Sequence, residues 1–145
     1  MNTKNQQAIE RLTSSGIRPS AQRIAVMEYL LTHLTHPTAD EIYLALHPQL
    51  PTLSKTTVYN CLQGFVTHGA ALAINLEDHQ IRYDGTLEEH GHFLCLRCGA
   101  FFDVPLKLPQ ALKSPAGVVV YDIQLNYKGL CFHCLELNEK ETNNQ

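Results

Sequence analysis

At 145 residues, 44% hydrophobic and 17% charged, the chain is long enough to bury a core or to divide into two small domains, and its composition excludes a disordered or fibrous protein. No apolar run approaches the length needed to cross a bilayer, and the polar segment Met1 to Glu10 lacks the apolar stretch of a secretory signal, so a cytoplasmic location is expected. In that compartment five cysteines read as metal ligands or buried thiols, and a formal charge of -3 counts against nucleic-acid binding unless the basic residues gather on one face. Lys4, Arg11, Arg18 and Arg23, opposed before Met27 only by Glu10, allow such a face together with Lys55.

In chain order, Ile9 and Leu12 lie one turn apart ahead of Gly16, which predicts a short helix over residues 3–15. A second helix follows Pro19 and Ser20, with Ile24, Met27 and Leu31 on one face and Arg23 at its edge, within reach of a phosphate. A third begins at Thr38, where Thr-Ala-Asp-Glu matches a capping box with Glu41 reaching back. Ile42, Ala45 and Leu46 form its apolar stripe, and Pro48 closes it. The fourth helix starts from Ser54 and runs from Lys55 to about His68. Val58, Cys61, Leu62, Phe65 and Val66 form its buried stripe, which makes Cys61 a packed core thiol. The opposite stripe, Thr56, Tyr59, Asn60 and Gln63, carries side chains suited to phosphates, thymine methyls and adenine edges. After Gly69, Ala70 to Leu76 and Gln80 to Tyr83 alternate like two strands about the polar turn Glu77-Asp78-His79. Helices that end in a hairpin describe a winged helix. A solvated helix face would show the same polar stripe, so the pattern alone leaves DNA contact open.

In the second half, Cys95-Leu-Arg-Cys98 and Cys131-Phe-His-Cys134 are two CxxC knuckles. Together they supply the four soft ligands of a closed tetrahedral zinc site, whereas a thiol redox role needs only one CxxC at a strand-to-helix turn. His90-Gly-His92 lies just upstream of, and overlaps, a strand expected over His92 to Arg97. There the alternation of side chains puts His90, His92 and Leu94 on one face and Cys95 on the other. That parity implies a second, harder site of imidazoles and carboxylates, with Asp84 and Asp103 as candidate oxygen ligands, although surface imidazoles read equally well from HxH alone. Nothing continues HxH into the ligands of a zinc hydrolase, and no Ser or Cys nucleophile sits beside a base, so catalysis is not expected. The polar tail Asn138 to Gln145 is expected to fray.

These motifs resemble the ferric uptake regulator family along nearly the whole chain. Gly16-Ile-Arg-Pro-Ser-Ala-Gln-Arg23, His36-Pro-Thr-Ala-Asp40, Ser54-Lys-Thr-Thr-Val-Tyr-Asn60, Arg82-Tyr-Asp84, His90-Gly-His92, Cys95-Leu-Arg-Cys98-Gly99 and Cys131-Phe-His-Cys134 stand in the family's order. The resemblance implies an α+β fold, with an N-terminal winged helix-turn-helix domain over residues 1–83 and a C-terminal α/β dimerisation domain over residues 84–145. It implies a homodimeric repressor of palindromic double-stranded operator DNA, with Arg23, Lys55, Thr56, Thr57, Tyr59 and Asn60 at the interface and neither a membrane nor a small organic substrate as partner. Cys61 and Gln63 stand where relatives vary, which leaves the operator sequence open.

Asp at 84 and 103, where iron-sensing relatives have Glu, makes the chain most similar to the peroxide-sensing branch. That similarity implies a structural Zn2+ and a regulatory Fe2+ or Mn2+ site made of His36, Asp84, His90, His92 and Asp103. Five ligands leave an octahedral ion one open position, where peroxide meeting Fe(II) would oxidise His36 or His90 and end repression. An iron- or zinc-homeostasis regulator of the same family is the alternative, and a zinc-stabilised thiol enzyme is the rival from another class. A further metal site found in some relatives is not expected, because Gly91 and Tyr121-Asp-Ile123 stand where its ligands would be.

Overall fold

In the computed structural model, which describes residues 3–75, 80–88, 90–120 and 123–143, helix α1 (Thr3–Ser14) stops where Gly16 takes a φ of 78°. That left-handed residue lets the Ile17 N–H return to the Leu12 carbonyl at 2.9 Å, and Ile17 is folded under the helix beside Leu12. Helix α2 (Ala21–Thr32) is capped by Ser20, whose hydroxyl accepts the Arg23 N–H. Its fully buried residues are Val26, Met27 and Leu30, and the expected Ile24 and Leu31 flank them half-buried. The face is rotated because α1 packs on one side of α2, and α3 and α4 on others. Helix α3 (Ala39–Leu46) is capped by Thr38, which accepts the Glu41 N–H at 3.2 Å. It buries Ala39 and Ile42 but leaves Ala45 exposed, because two turns of helix present only one short stripe to the core.

Helix α4 (Lys55–Thr67) follows a Ser54 cap and buries Val58, Cys61, Leu62 and Phe65, with Val66 packed against them. Strands β1 (Leu72–Asn75) and β2 (Ile81–Asp84) pair antiparallel with Leu72 opposite Asp84, so Asp84 ends a strand rather than following one. The expected strand end Leu76 and turn Glu77-Asp78-His79 lie outside the described residues. The hairpin is tied to the entrance of α3 by the Tyr83 N–H on the Pro37 carbonyl and by a bridge between Thr38 and Arg82. Full burial of Leu12, Met27, Leu30, Ile42, Leu53, Leu62 and Phe65 contributes about 1.5–3 kcal/mol per side chain. Arg11, counted above with the basic face, is instead a structural brace, its guanidinium donating to the carbonyls of Ala70 and Gly85 at 3.1 and 2.6 Å. All of this belongs to a first unit, Met1–Leu87.

The second unit, Glu88–Gln145, is built on strands β3 (His90–Cys95), β4 (Phe101–Pro105) and β5 (Asn126–Gly129) in the order β4-β3-β5. β3 runs antiparallel to β4 and parallel to β5. A four-residue helix α5 (Gln110–Lys113) and helix α6 (Phe132–Asn143) complete the unit. The strand expected over His92 to Arg97 is displaced to His90–Cys95, because the first knuckle turns the chain back: the Gly99 N–H returns to the Cys95 carbonyl at 3.0 Å. The tail expected to fray from Asn138 is helical to Asn143, held where the Arg97 guanidinium donates to Asn138 at 2.7 Å and Glu141 at 2.6 Å; Asn144 and Gln145 lie outside the described residues. Gly91 is required by space, since a Cβ there would stand 2.8 Å from a Leu106 methyl and 3.2 Å from the Leu125 carbonyl oxygen. Of the Tyr121-Asp-Ile123 stretch only Ile123 is described. No helix among the described residues is long and apolar enough to cross a membrane.

One feature of this unit sets its energetics. Among its described residues the buried hydrophobic side chains are Cys95 and Cys134, while Leu112, Val118, Val119, Ile123 and Phe132 are exposed. With Phe93, Leu94, Phe101 and Val104 only half-buried, the apolar core of the unit is weak, and a metal or a partner would reinforce it.

Candidate metal centres and nucleic-acid interface

The parallel register of β3 and β5 sets Cys95 opposite Gly129, which delivers Cys131 and the first turn of α6 to the first knuckle. The sulfurs of Cys95, Cys98, Cys131 and Cys134 all lie within 4.8 Å of one another, with Cys98 and Cys131 at 3.7 Å. Four thiolates at about 2.3 Å around a tetrahedral zinc ion lie about 3.8 Å apart, so the donor set and its span fit that metal. Cys95 is prepared for it. Its sulfur accepts the N–H groups of Cys98 and Cys131 at 3.5 and 3.4 Å, and these bonds hold its thiol down at about 5. Burial, followed by hydrogen bonding among the neighbouring sulfurs, pushes Cys134 up to about 12, and a bound cation would oppose that shift. Cys61 takes no part: it lies in the core of the first unit, where burial raises its thiol against the opposing pull of Arg23.

Two further ligand groups form, one in each unit. In the first unit His36 is buried with a φ of 58°, a left-handed backbone found at no other non-glycine residue described. Its Nε2 stands 3.5 Å from Oδ2 of Asp84. The Thr86 N–H occupies the other Asp84 oxygen, Oδ1, at 2.8 Å, and so fixes which oxygen faces the imidazole. In the second unit His92 and Asp103 are direct cross-strand partners, and His90 lies two residues along the same face. Asp103 Oδ1 is 3.6 Å from His90 Nε2 and 3.5 Å from His92 Nε2, and the two Nε2 atoms are 3.0 Å apart. His90 Nδ1–H donates to the Glu88 carbonyl at 2.5 Å, which leaves Nε2 as a lone pair on the neutral ring. A lone pair, a second imidazole nitrogen and a carboxylate oxygen so close together could hold a cation. Neighbouring ligands of a six-coordinate ion at about 2.1 Å lie about 3 Å apart. Imidazoles and carboxylates without thiolate suit a harder ion than the cysteines do.

On α4, Lys55, Thr56, Tyr59, Asn60 and Gln63 are exposed, the arrangement expected for a reading face. Thr57 is half-buried, with its hydroxyl 2.9 Å from the Ser54 hydroxyl, and serves the cap. Arg23, Ser20 and Gln22 at the start of α2 line one groove with Thr57, Asn60 and Cys61, and Arg23 donates to the Arg18 carbonyl at 2.8 Å. Sequence reasoning missed Asp40, which meets both Tyr59 and Lys55, and Thr86 beside Asp84. Both are short polar residues whose roles depend on neighbours distant in sequence or on a local turn.

Helices and a hairpin of this order make the first unit a winged helix, and the second a small sheet domain with a cysteine cluster and an imidazole–carboxylate cluster. Residues 14–127 match the ferric uptake regulator family, and the chain belongs to it. Over 133 residues it is 40% identical to the peroxide-responsive repressor PerR of Staphylococcus aureus (strain Mu50), spanning 89% of this chain and 90% of that one. It is 34% identical over 132 residues to the peroxide operon regulator of Bacillus subtilis, spanning 88% and 91% of the two chains. The crystal structure of the Vibrio cholerae ferric uptake regulator matches with a TM-score of 0.64 over 85% of this chain and 98% of that one, at 23% identity, which bears out the α+β two-domain fold.

Proposed function

We propose that the chain is a metal-dependent transcriptional repressor that binds palindromic operator DNA as a homodimer and is released by peroxide. The observation that carries this reading is the convergence of His90, His92 and the short carboxylate of Asp103 within 3.0 to 3.6 Å of one another. Peroxide-responsive relatives support it. Cys95, Cys98, Cys131 and Cys134 would hold zinc and so pin α6 to β3. His36, Asp84, His90, His92 and Asp103 would hold Fe2+ or Mn2+, as the family resemblance implies. Iron(II), when bound, supplies the electron that cleaves peroxide, a task manganese(II) performs poorly. The protein's part is to fix the ligands: Thr86 sets the face of Asp84, Glu88 sets the ring of His90, and sheet register sets Asp103 against His92. A coupling of about 1–3 kcal/mol between metal binding and DNA binding changes DNA affinity about 5- to 150-fold. The exposed Val118, Val119 and Ile123 support pairing of the second unit with another copy.

Selection of duplexes by the manganese-loaded protein tests the DNA assignment. It should return a palindrome, and Asn60→Ala should cost about 1–3 kcal/mol in binding while relaxing preference at one base pair. Selected duplexes without two-fold symmetry, or an Asn60→Ala protein with unchanged affinity and preference, would remove α4 as the reading helix.

A further inference from the structure

Asp40, in the first turn of α3, reaches across to α4 and meets two exposed residues of its polar face. The same oxygen, Oδ1, accepts from the Tyr59 hydroxyl at 3.4 Å and stands 3.9 Å from the Lys55 ammonium, which also lies 5.7 Å from the centre of the Tyr43 ring. Partial desolvation and the nearby carboxylate raise the Tyr59 hydroxyl above its ordinary range. All three groups are about half exposed. Contacts of that kind add little to folding, and the help a carboxylate gives the start of α3 does not require it to meet Lys55 and Tyr59. It is a negative charge held on the face proposed to meet a polyanion. Beside it Thr38, Asp40, Tyr59, Gln80 and Ile81 line a cleft between α3, α4 and the hairpin, which opens next to the proposed reading face.

We propose that Asp40 is a specificity-determining positioning residue: its carboxylate keeps Lys55 from phosphates on non-cognate DNA and holds the Tyr59 side chain in its reading position. The inference rests on α4 being the reading helix. On cognate DNA a backbone phosphate takes Lys55 from the carboxylate, while Tyr59 keeps its hydrogen bond to Asp40. Asn at this position removes the charge but can keep an acceptor for Tyr59, and Ala removes both, so the two functions separate.

The experiment measures binding of the full-length, manganese-loaded protein to operator and to scrambled duplexes of equal length over a salt series, with thermal melts as a control for folding. In Asp40→Asn and Asp40→Ala, binding to scrambled DNA should tighten about 3- to 10-fold. The plot of log affinity against log salt should steepen by up to about 0.9, the contribution of one further neutralised phosphate. Asp40→Ala alone should also lose operator affinity relative to Asp40→Asn, by about 5-fold or more, as Tyr59 is released. A purely structural role would leave the salt slope unmoved. Unchanged slopes in both Asp40 variants, with a normally flattened slope in Lys55→Ala, would overturn this inference alone. An unflattened slope in Lys55→Ala would overturn the placement of α4 on DNA and this inference with it.

Discussion

Cys95→Ser is expected to lose its zinc and, with it, the folded second unit. Serine offers a hard, weakly acidic hydroxyl in place of the sulfur that accepts the Cys98 and Cys131 N–H groups, so the one thiolate prepared in advance of the ion disappears. The loss is large because buried hydrophobic side chains in that unit, among the described residues, amount to Cys95 and Cys134 themselves. Structural zinc in small domains contributes folding free energy on the order of 10 kcal/mol, more than the whole stability of many domains. Metal analysis of the purified parent should find one zinc per chain that survives mild chelation. The variant should contain none, show reduced β signal and fail to dimerise. Acid should release zinc from the parent, because protons compete with the ion for the four thiolates. A Cys95→Ser protein recovered with one tightly held zinc per chain would sink the assignment.

The second large effect is expected from peroxide. Iron-loaded protein exposed to a few equivalents of peroxide should lose operator affinity by at least about tenfold, and peptide mass spectrometry should find one added oxygen on His36 or His90. The manganese-loaded protein should bind the operator equally well beforehand and keep its affinity afterwards. Asp103→Glu separates binding from sensing. The glutamate keeps the charge and donor type, but its extra methylene, projected from a strand position fixed opposite His92, lets the carboxylate fill or crowd an open coordination position. That variant should repress with either metal and respond weakly to peroxide. Intact histidines and full DNA affinity in the peroxide-treated, iron-loaded parent would instead favour a regulator of metal homeostasis.

How far the sequence foretold these sites depended on where the defining interactions lie. Both faces of α4 were legible, since its cap, its 3.6-residue stripe and its polar side all fall within fourteen consecutive residues, Ser54 to Thr67. The cysteine cluster was legible from spacing, because each knuckle is local and only their meeting is not. Strand β5 was illegible. Asn-Tyr-Lys-Gly has no alternating pattern, and it becomes a strand through parallel pairing with β3, some thirty residues upstream. Helix α6 likewise buries only Cys134, so no apolar stripe announces it. The face of α2 was misjudged because two apolar stripes lie side by side on that helix and its neighbours choose between them. His36 came from family resemblance alone, since its partner Asp84 is remote in sequence and joins it only once Tyr83 is bonded to Pro37.

Position 36 is under two demands that a single side chain meets at a cost. The left-handed backbone there disfavours any L residue by roughly 1–2 kcal/mol relative to glycine, Asn, Asp and His being the least penalised. That cost is offset at this site by what the imidazole itself meets, the buried Asp84 carboxylate and, in the proposed function, a metal ion. His36→Gly relieves the strain but opens a cavity and takes the imidazole from the buried Asp84 carboxylate, so it should melt no higher than the metal-free parent, and it should leave DNA affinity indifferent to added manganese. The strained turn is thus kept by the side chain it carries, and a variant that relaxes it should have stopped listening.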